Sequence, residues 1–504
     1  MQGTFVADPM KRGLITAAIM LATIMQVVDM TIVNVALPHM QGALSATQDQ
    51  ISWVLTSYIV ATAIATPLTG VLAARFGRKR VMLASMLAFV LASMLCGSAA
   101  SLEQMVIYRV LQGAAGAAIV PLSQAVLLDT YPREKHGPAM ALWGMGVMIG
   151  PILGPLIGGY LTEYYSWRWA FYINLPIGAL ALLGSAAFLT ETELDRGRRF
   201  DFFGFALLSL AVGALQLMLD RGESLDWFSS QTIVISCVIT GLAAYMFLVH
   251  MFTAEKPFIE PGLFKDRNFA TGLFLMLAMG VMLFSTLALM PPFMQNLLGY
   301  PVLTAGILLA PRGIGTMIAM MIVGRLIGRV DTRWLLLSAF AILGVSLELM
   351  TGFTLEVGTW PIVYTGLIQG IGLGFLFVPL STAAFSTLAP HYRNEGTAMF
   401  SLIRNIGSSI GISVMITVLG HQAQTSHAEL GNSLSALRPA MQPSSLPMIW
   451  DWSTSAGVAA LNGEVTRQAL MIAYLNDFRL MMYMTLFAVP LLLLLRSPPR
   501  RKRV

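Results

Sequence analysis

Ionisable side chains are rare inside the long apolar stretches of this chain, and those present are the first candidates for chemistry. Asp29 sits in Gln26-Val27-Val28-Asp29-Met30-Thr31-Ile32-Val33-Asn34. A carboxylate in the middle of a membrane span costs at least about 2.5–3.5 kcal/mol, so one that is kept has a use. The use that fits an acid reached by water is taking up and releasing a proton. The competing use is structural, as an acid bonded to a neighbouring helix. Arg109 is its natural partner, because the chain runs outward through the first stretch and inward through the fourth, placing the two at similar depth. A guanidinium there would pair with the carboxylate until a proton or a substrate displaced it. Its alternative role is to pin its own helix to backbone carbonyls.

Other polar groups in apolar stretches are candidates for a substrate cavity: Asn34, Gln112, Arg312, Glu348, Gln369 and Arg404. Three arginines against Asp29 and Glu348 do not favour a strictly cationic substrate, and lipophilic weak acids or neutral compounds fit as well. A glycine-rich segment, Gly146 to Gly159, places Gly146, Gly150, Gly154 and Gly158 at intervals of four, with Gly159 beside them and Pro151 and Pro155 following two of them. Such spacing makes a flat face for close helix packing, and the prolines remove backbone donors. The expectation is a sealed, bendable contact that gates the outer pathway. Gly70 to Arg80 reads as a short cationic turn, with Gly70, Arg75, Gly77 and Arg78 as an inner gate whose arginines can pair with Asp129 or Glu134. Plain topology charge explains the same residues. No catalytic constellation, cofactor-binding loop or metal-ligand spacing stands out, and no Gly-x-x-x-x-Gly-Lys loop is present, so neither an enzyme nor direct ATP drive is expected.

These residues need helices in a bilayer to position them. Of 504 residues, 56% are apolar and 11% charged, with a net charge of +6. The mean hydropathy is +0.72. A soluble enzyme, a disordered chain and a disulfide scaffold are excluded; the two cysteines, Cys96 and Cys237, lie in apolar stretches. At about 20 residues per span, the apolar content fits roughly fourteen helices. They are expected over residues 13–37, 51–73, 81–100, 105–127, 139–160, 168–190, 202–220, 230–252, 269–292, 302–324, 333–353, 360–382, 397–420 and 475–495. The stretches are about twice as long as barrel strands and do not alternate. The expected fold is all-α and polytopic.

With the N-terminus inside, 23 of the 31 Lys and Arg fall on cytoplasmic segments and three, Arg221, Arg438 and Arg467, on outer ones. The remaining five, Arg109, Arg168, Arg312, Arg404 and Arg479, lie in or at the ends of spans. This bias places both termini in the cytoplasm. The first apolar stretch is too long for a signal-peptide core and reads as an uncleaved helix. An internal repeat adds to the picture. Gly70 and Arg75 recur as Gly324 and Arg329 at an offset of 254, while Gln112-Gly113 recurs as Gln369-Gly370 and Gly150/Gly154 as Gly407/Gly411 at 257. Arg109 has Gly366 as its counterpart, so that charge is confined to one half. Two parallel six-helix copies describe a rocking transporter with its substrate path between them. The expected divisions are 1–190, an inserted helix pair with its linkers over 191–267, and 268–504, which includes a long outer loop at 421–474. That loop either caps the outer mouth, contacts a partner or is a tolerated insertion, and its end from Val465 to Leu480 has helical spacing.

The chain resembles the major facilitator superfamily, and within it the fourteen-helix drug:proton antiporters of the EmrB/QacA type. Asp29-Met30-Thr31-Ile32-Val33-Asn34-Val35-Ala36-Leu37-Pro38 is similar to the family's motif in the first helix, and Arg109-Val110-Leu111-Gln112-Gly113 to its proton-coupling motif in the fourth. Gly146 to Gly159 resembles the antiporter motif of the fifth, and Trp167 to Gly178 the start of the sixth. The resemblance implies two six-helix bundles with a central helix pair. It also implies a bacterial inner-membrane exporter that exchanges protons for lipophilic toxic compounds, in which Asp29 and Arg109 couple the proton. It implies partnership with a periplasmic adaptor and an outer-membrane channel in Gram-negative members. One departure stands out: Ala74 replaces the acid that usually precedes Arg75, with Asp331 in the second copy as a partial substitute. Rival readings are an exporter or symporter of one metabolite (a siderophore, sugar or amino acid) and a lipid flippase.

Overall fold

The computed structural model describes residues 8–191, 200–434, 450 and 454–495. Thirteen of its helices are long and apolar enough to cross a membrane, and a bent pair makes a fourteenth. The helices longer than one turn are α1 (Pro9–Ala43), α2 (Trp53–Ala65), α3 (Leu68–Phe76), α4 (Arg78–Ser98), α5 (Leu102–Gly116), α6 (Ile119–Thr130), α7 (His136–Tyr164) and α8 (Asn174–Phe188). They continue with α9 (Phe202–Arg221), α10 (Gln231–Thr253), α11 (Arg267–Pro292), α12 (Val302–Leu326), α13 (Thr332–Thr351), α14 (Thr359–Ser386), α15 (Arg393–Ser433) and α16 (Ser455–Phe487). Helices α5 and α6 form one span, Leu102–Thr130. Large apolar side chains such as Leu91, Leu183, Val238 and Tyr245 are exposed on the outer faces, as expected where lipid is the solvent.

Local signals set the helix ends. Asp8 caps α1 by accepting from the Met10 amide at 2.9 Å, with Pro9 at the first helical position. The second span is not the single rod expected over 51–73. Pro67 lacks an amide hydrogen, and α2 and α3 meet there at 53°. Residues 421–474, expected as an outer loop, also depart from that expectation. α15 continues to Ser433 and α16 begins at Ser455, so both helices run well beyond the bilayer. At 41 residues α15 is about 60 Å long, twice the hydrocarbon thickness. The two extensions pack together: Asn476 donates to Gln422 at 3.2 Å, and His427 and Asn462 are 3.0 Å apart. The helical spacing noted from Val465 to Leu480 belongs to α16. The proline-containing stretch with Pro439, Pro443 and Pro447 lies outside the described residues.

The sequence repeat reappears as repeated contacts. A Cβ on Gly150 or Gly154 of α7 would strike Val27 or Thr31 of α1, and one on Gly407 or Gly411 of α15 would strike Leu277 or Val281 of α11. Gly113 of α5 lies against the Tyr58 carbonyl of α2, and Gly370 of α14 against the Arg312 carbonyl of α12. Two further contacts cross between the copies: a Cβ on Gly70 of α3 would lie 3.2 Å from Glu395 Cα of α15, and one on Gly324 of α12 would lie 3.3 Å from Pro138 Cα of α7. Each pair maps onto its mate at offsets of 250 to 257 residues. The inserted α9 touches both copies. Asp220 accepts from Thr56 of α2, and Gln216 donates to Ser409 of α15 at 2.7 Å.

Candidate functional site

Asp29 and Arg109 meet. An Arg109 Nη lies 3.0 Å from Asp29 Oδ2, and the two residues are 0% and 1% exposed. The other carboxylate oxygen accepts from Gln112 Nε2 at 2.8 Å and from Asn174 Nδ2 at 2.6 Å. Arg109 also donates through Nε to the Val54 carbonyl at 3.0 Å and through Nη to Gln112 Oε1 at 2.8 Å. Its guanidinium lies 4.0 Å from the Tyr58 ring centroid, a cation–π contact in a dry setting. Asn174 is held in turn by Ser93, whose hydroxyl accepts from it at 2.9 Å and donates to the Phe171 carbonyl at 2.9 Å. Helices α1, α2, α4, α5 and α8 thus each supply a residue to one network. A buried ion pair persists only where extra hydrogen bonds satisfy the remaining lone pairs and protons, which these neighbours do.

Two expectations change here. Gln112 belongs to the Asp29 network rather than to a substrate cavity. Asp29, expected as an acid reached by water, is walled in by its own half of the molecule in this conformation. Asn34, five residues further along α1, is exposed. Sequence reasoning did not single out Asn174, Ser93 or Tyr58. Asn174 carried a usable signal, an amide inside the apolar run that opens the sixth span.

Along α7 the glycines form the seam with α1. A Cβ on Gly146 would strike Met20, and one on Gly158 would lie 2.9 Å from Ile32 Cγ1. The Thr31 hydroxyl donates to the Gly150 carbonyl at 3.0 Å, which only bare backbone at that height permits. Gly159 is not in the seam, since a Cβ there meets nothing within 4 Å. Pro155 faces the other way, toward Gly306 of α12. Pro151 continues the helix, and its side chain lies outside the described residues.

Where α4 and α15 begin, Arg78 pairs with Asp129, the acid named from sequence, and donates to Asn394 Oδ1 at 2.7 Å. Asp129 also pairs with Arg393. Arg78 and Asp129 come from the first copy and Arg393 and Asn394 from the second, so the cluster ties the copies together. The second-copy partners were not foreseen. Gly77 holds φ at +91°, and the Glu191 carboxylate beside it accepts from the amides of Lys79 at 3.0 Å and Arg80 at 3.2 Å, capping α4. Arg75 is exposed against the Phe76 ring and takes no part. Asp331 accepts from the Arg333 amide at the start of α13.

The remaining cavity candidates separate. Arg312 and Gln369 are buried and share a narrow cavity in the second copy with Thr286. Glu348 is exposed on α13, while Leu343 and Leu347 of the same helix line that cavity. Arg404 is half-buried on α15 and lies outside the cavity. Asp477 of α16 was not among the candidates; it is fully buried with neither oxygen hydrogen-bonded among the described residues.

Residues 19–412 match the family model of the Major Facilitator Superfamily. The chain is 38% identical over 437 residues to the multidrug export protein EmrB of Escherichia coli K12, covering 85% of this chain and 84% of that one. It is 34% identical to EmrB of Haemophilus influenzae, covering 91% of both chains. In fold it is similar to the human organic anion transporter MFSD10, with a TM-score of 0.58 at 16% identity, covering 95% of this chain and all of that one. A two-copy, fourteen-span helical fold and matches along most of its length lead to one conclusion: this chain is a transport protein of the major facilitator superfamily and belongs to its EmrB-type branch.

Proposed function

We propose that the protein exports lipophilic toxic compounds across the bacterial inner membrane in exchange for protons. The reading rests above all on the network around Asp29, an acid–guanidinium pair held by two amides inside one half of a two-copy transporter. It is supported by the multidrug-export names of its relatives. Residues 1–190 and 268–504 act as two halves that rock about the central path, with the inserted pair of 191–267 between them, and both termini in the cytoplasm. Asp29 carries the proton, and Arg109 pairs with its carboxylate once the proton has left. Because the acid is occluded, exchange requires the network to part when the halves rock. Protonation removes the charge that binds Arg109, and this loosens α1 from α5. The glycine seam between α1 and α7 seals the path against proton leak. The Arg78–Asp129–Arg393 cluster closes the cytoplasmic side. A periplasmic adaptor would meet the outward extensions of α15 and α16.

The test is transport by the purified protein in liposomes under an imposed pH gradient, with cationic, neutral and anionic lipophilic compounds offered in parallel. Counterflow of protons and compound, abolished when an ionophore collapses the gradient, is expected. Co-directional movement would identify a symporter, and movement indifferent to the gradient would remove proton coupling.

A further inference from the structure

A line of buried hydroxyls leads away from the Asp29 network along the broken second span. Tyr58, Thr62, Thr66 and Thr69 follow one another at intervals of four, four and three, which puts them on one helix face, and all four are buried. The line covers about 16 Å. At one end the Tyr58 ring lies over the Arg109 guanidinium, and Gln26, three residues from Asp29 on α1, is a polar neighbour of its hydroxyl. At the other end Thr69 stands beside Gly70, where α3 meets Glu395 of the second copy. The two middle hydroxyls are satisfied: Thr62 donates to the Gly113 carbonyl at 3.1 Å and Thr66 to the Thr62 carbonyl at 2.6 Å. The two terminal ones are buried without a hydrogen-bond partner among the described residues, as is Oε1 of Gln26. Thr66 and Pro67 stand at the break between α2 and α3, and Pro67 offers no amide hydrogen to the Ala63 carbonyl one turn back.

The repeat shows that packing alone does not ask for this line. At the offset of 254 the counterparts of Tyr58, Thr62, Thr66 and Thr69 are Arg312, Thr316, Met320 and Val323, and that of Pro67 is Met321. α12 runs through that stretch unbroken, with Met320 and Val323 as buried as the threonines they match. A buried hydroxyl without a partner is costly, and the first copy keeps one at Thr69 where the second has a valine. We propose that the line is the route by which the Asp29 proton leaves, with water bridging successive hydroxyls when the helices part at the Pro67 break. Side chains three or four residues apart stand about 5–6 Å from each other, too far for a direct hydrogen bond and within the span of one water. In each hop a hydroxyl accepts a proton from one side while its own passes to the next water. Asp29 thus loses one proton, the water beyond Thr69 gains one, and every hydroxyl is left as it was. In the orientation proposed above the route leads inward, to the seam that the Arg78–Asp129–Arg393 cluster closes. The inference deepens the proton-exchange reading and rests on it.

The full-length protein is reconstituted in liposomes loaded with a pH indicator and with ethidium, Nile red or anilinonaphthalene sulfonate as cationic, neutral and anionic probes, and an outside-acid step starts exchange. Tyr58→Phe keeps the ring on Arg109 and removes only the hydroxyl, while Thr66→Val and Thr69→Val keep the side-chain shape. Each is expected to slow proton-linked exchange on the order of tenfold and to enlarge the ratio of the rates in light and heavy water. Exchange of labelled for unlabelled probe without a gradient needs the same rocking but no net proton transfer, and it should stay at the parent's rate. Thr316→Val, at the counterpart of Thr62, should change none of these. Melting profiles near the parent's establish that each variant is folded. The inference is overturned if the three variants exchange protons at the parent's rate, if labelled-probe exchange falls in step with proton-linked exchange, or if Thr316→Val slows the latter as much. A parent that moves no protons with any probe would remove the proposed exchange itself and this route with it, an outcome distinct from a working parent whose variants are unaffected.

Discussion

Asp29 and Arg109 illustrate how an expensive charge is kept inside a membrane protein. Neither residue is exposed to an extent that lets water screen it, so each depends on the other and on Gln112 and Asn174. Arg109→Gln leaves a buried carboxylate without its cation and is expected to cost about 3–5 kcal/mol of stability. Asp29→Asn strands the guanidinium in the same way. The double variant should lose less than the sum of the two, a coupling that thermal unfolding in nanodiscs measures. Additive losses would mean the two side chains act independently. Asn174→Leu removes one donor to Asp29 and opens no path, so it should slow proton-linked export while preserving membrane insertion. Uptake rates at fixed protein level check this.

The glycine seam acts at the scale of the element. Gly154 lets the α7 backbone approach Thr31 and Ile32, whose backbone nitrogen would lie 3.3 Å from an added Cβ. Gly154→Val should push α1 from α7, costing about 1–3 kcal/mol as overpacking does, and should abolish transport. Gly159→Ala, where a Cβ meets open space, should change neither melting temperature nor rate. Equal damage at both positions would show that flexibility rather than contact is at issue. The spacing of these glycines, the fourteen spans and the repeat were legible in sequence because hydropathy and small-residue periodicity are local signals. The Arg78–Asp129 pair was legible too, since both lie at neighbouring helix ends. Arg393, Glu191 and Asn174 were not, because their partners stand 264, 112 and 145 residues away and only helix packing brings them together. The helical extension of α15 was missed for a different reason, while that of α16 was read from Val465 onward. Beyond the bilayer a helix needs no apolar run, so residues 421–433 read as loop.

At the scale of the molecule, an apolar seam joins the copies, with Trp143 of α7 stacked on Phe377 of α14, and a polar cluster adds to it. Arg78, Asp129, Arg393 and Asn394 form that cluster, which crosses between the copies. Asp129→Asn should shift the balance toward conformations open to the cytoplasm. Spin labels at the exposed positions Arg80 and His391 are expected to report a longer or broader distance distribution in that variant. An unchanged distribution would mean that helix packing alone sets the closure. The same rocking must uncover Asp29, and the whole account turns on that acid exchanging a proton with the medium. The most direct measurement is proton release from the purified protein on substrate addition, followed with a pH-sensitive dye in weakly buffered solution. The account predicts release by the parent protein and none by folded Asp29→Asn. Equal release by both would contradict it.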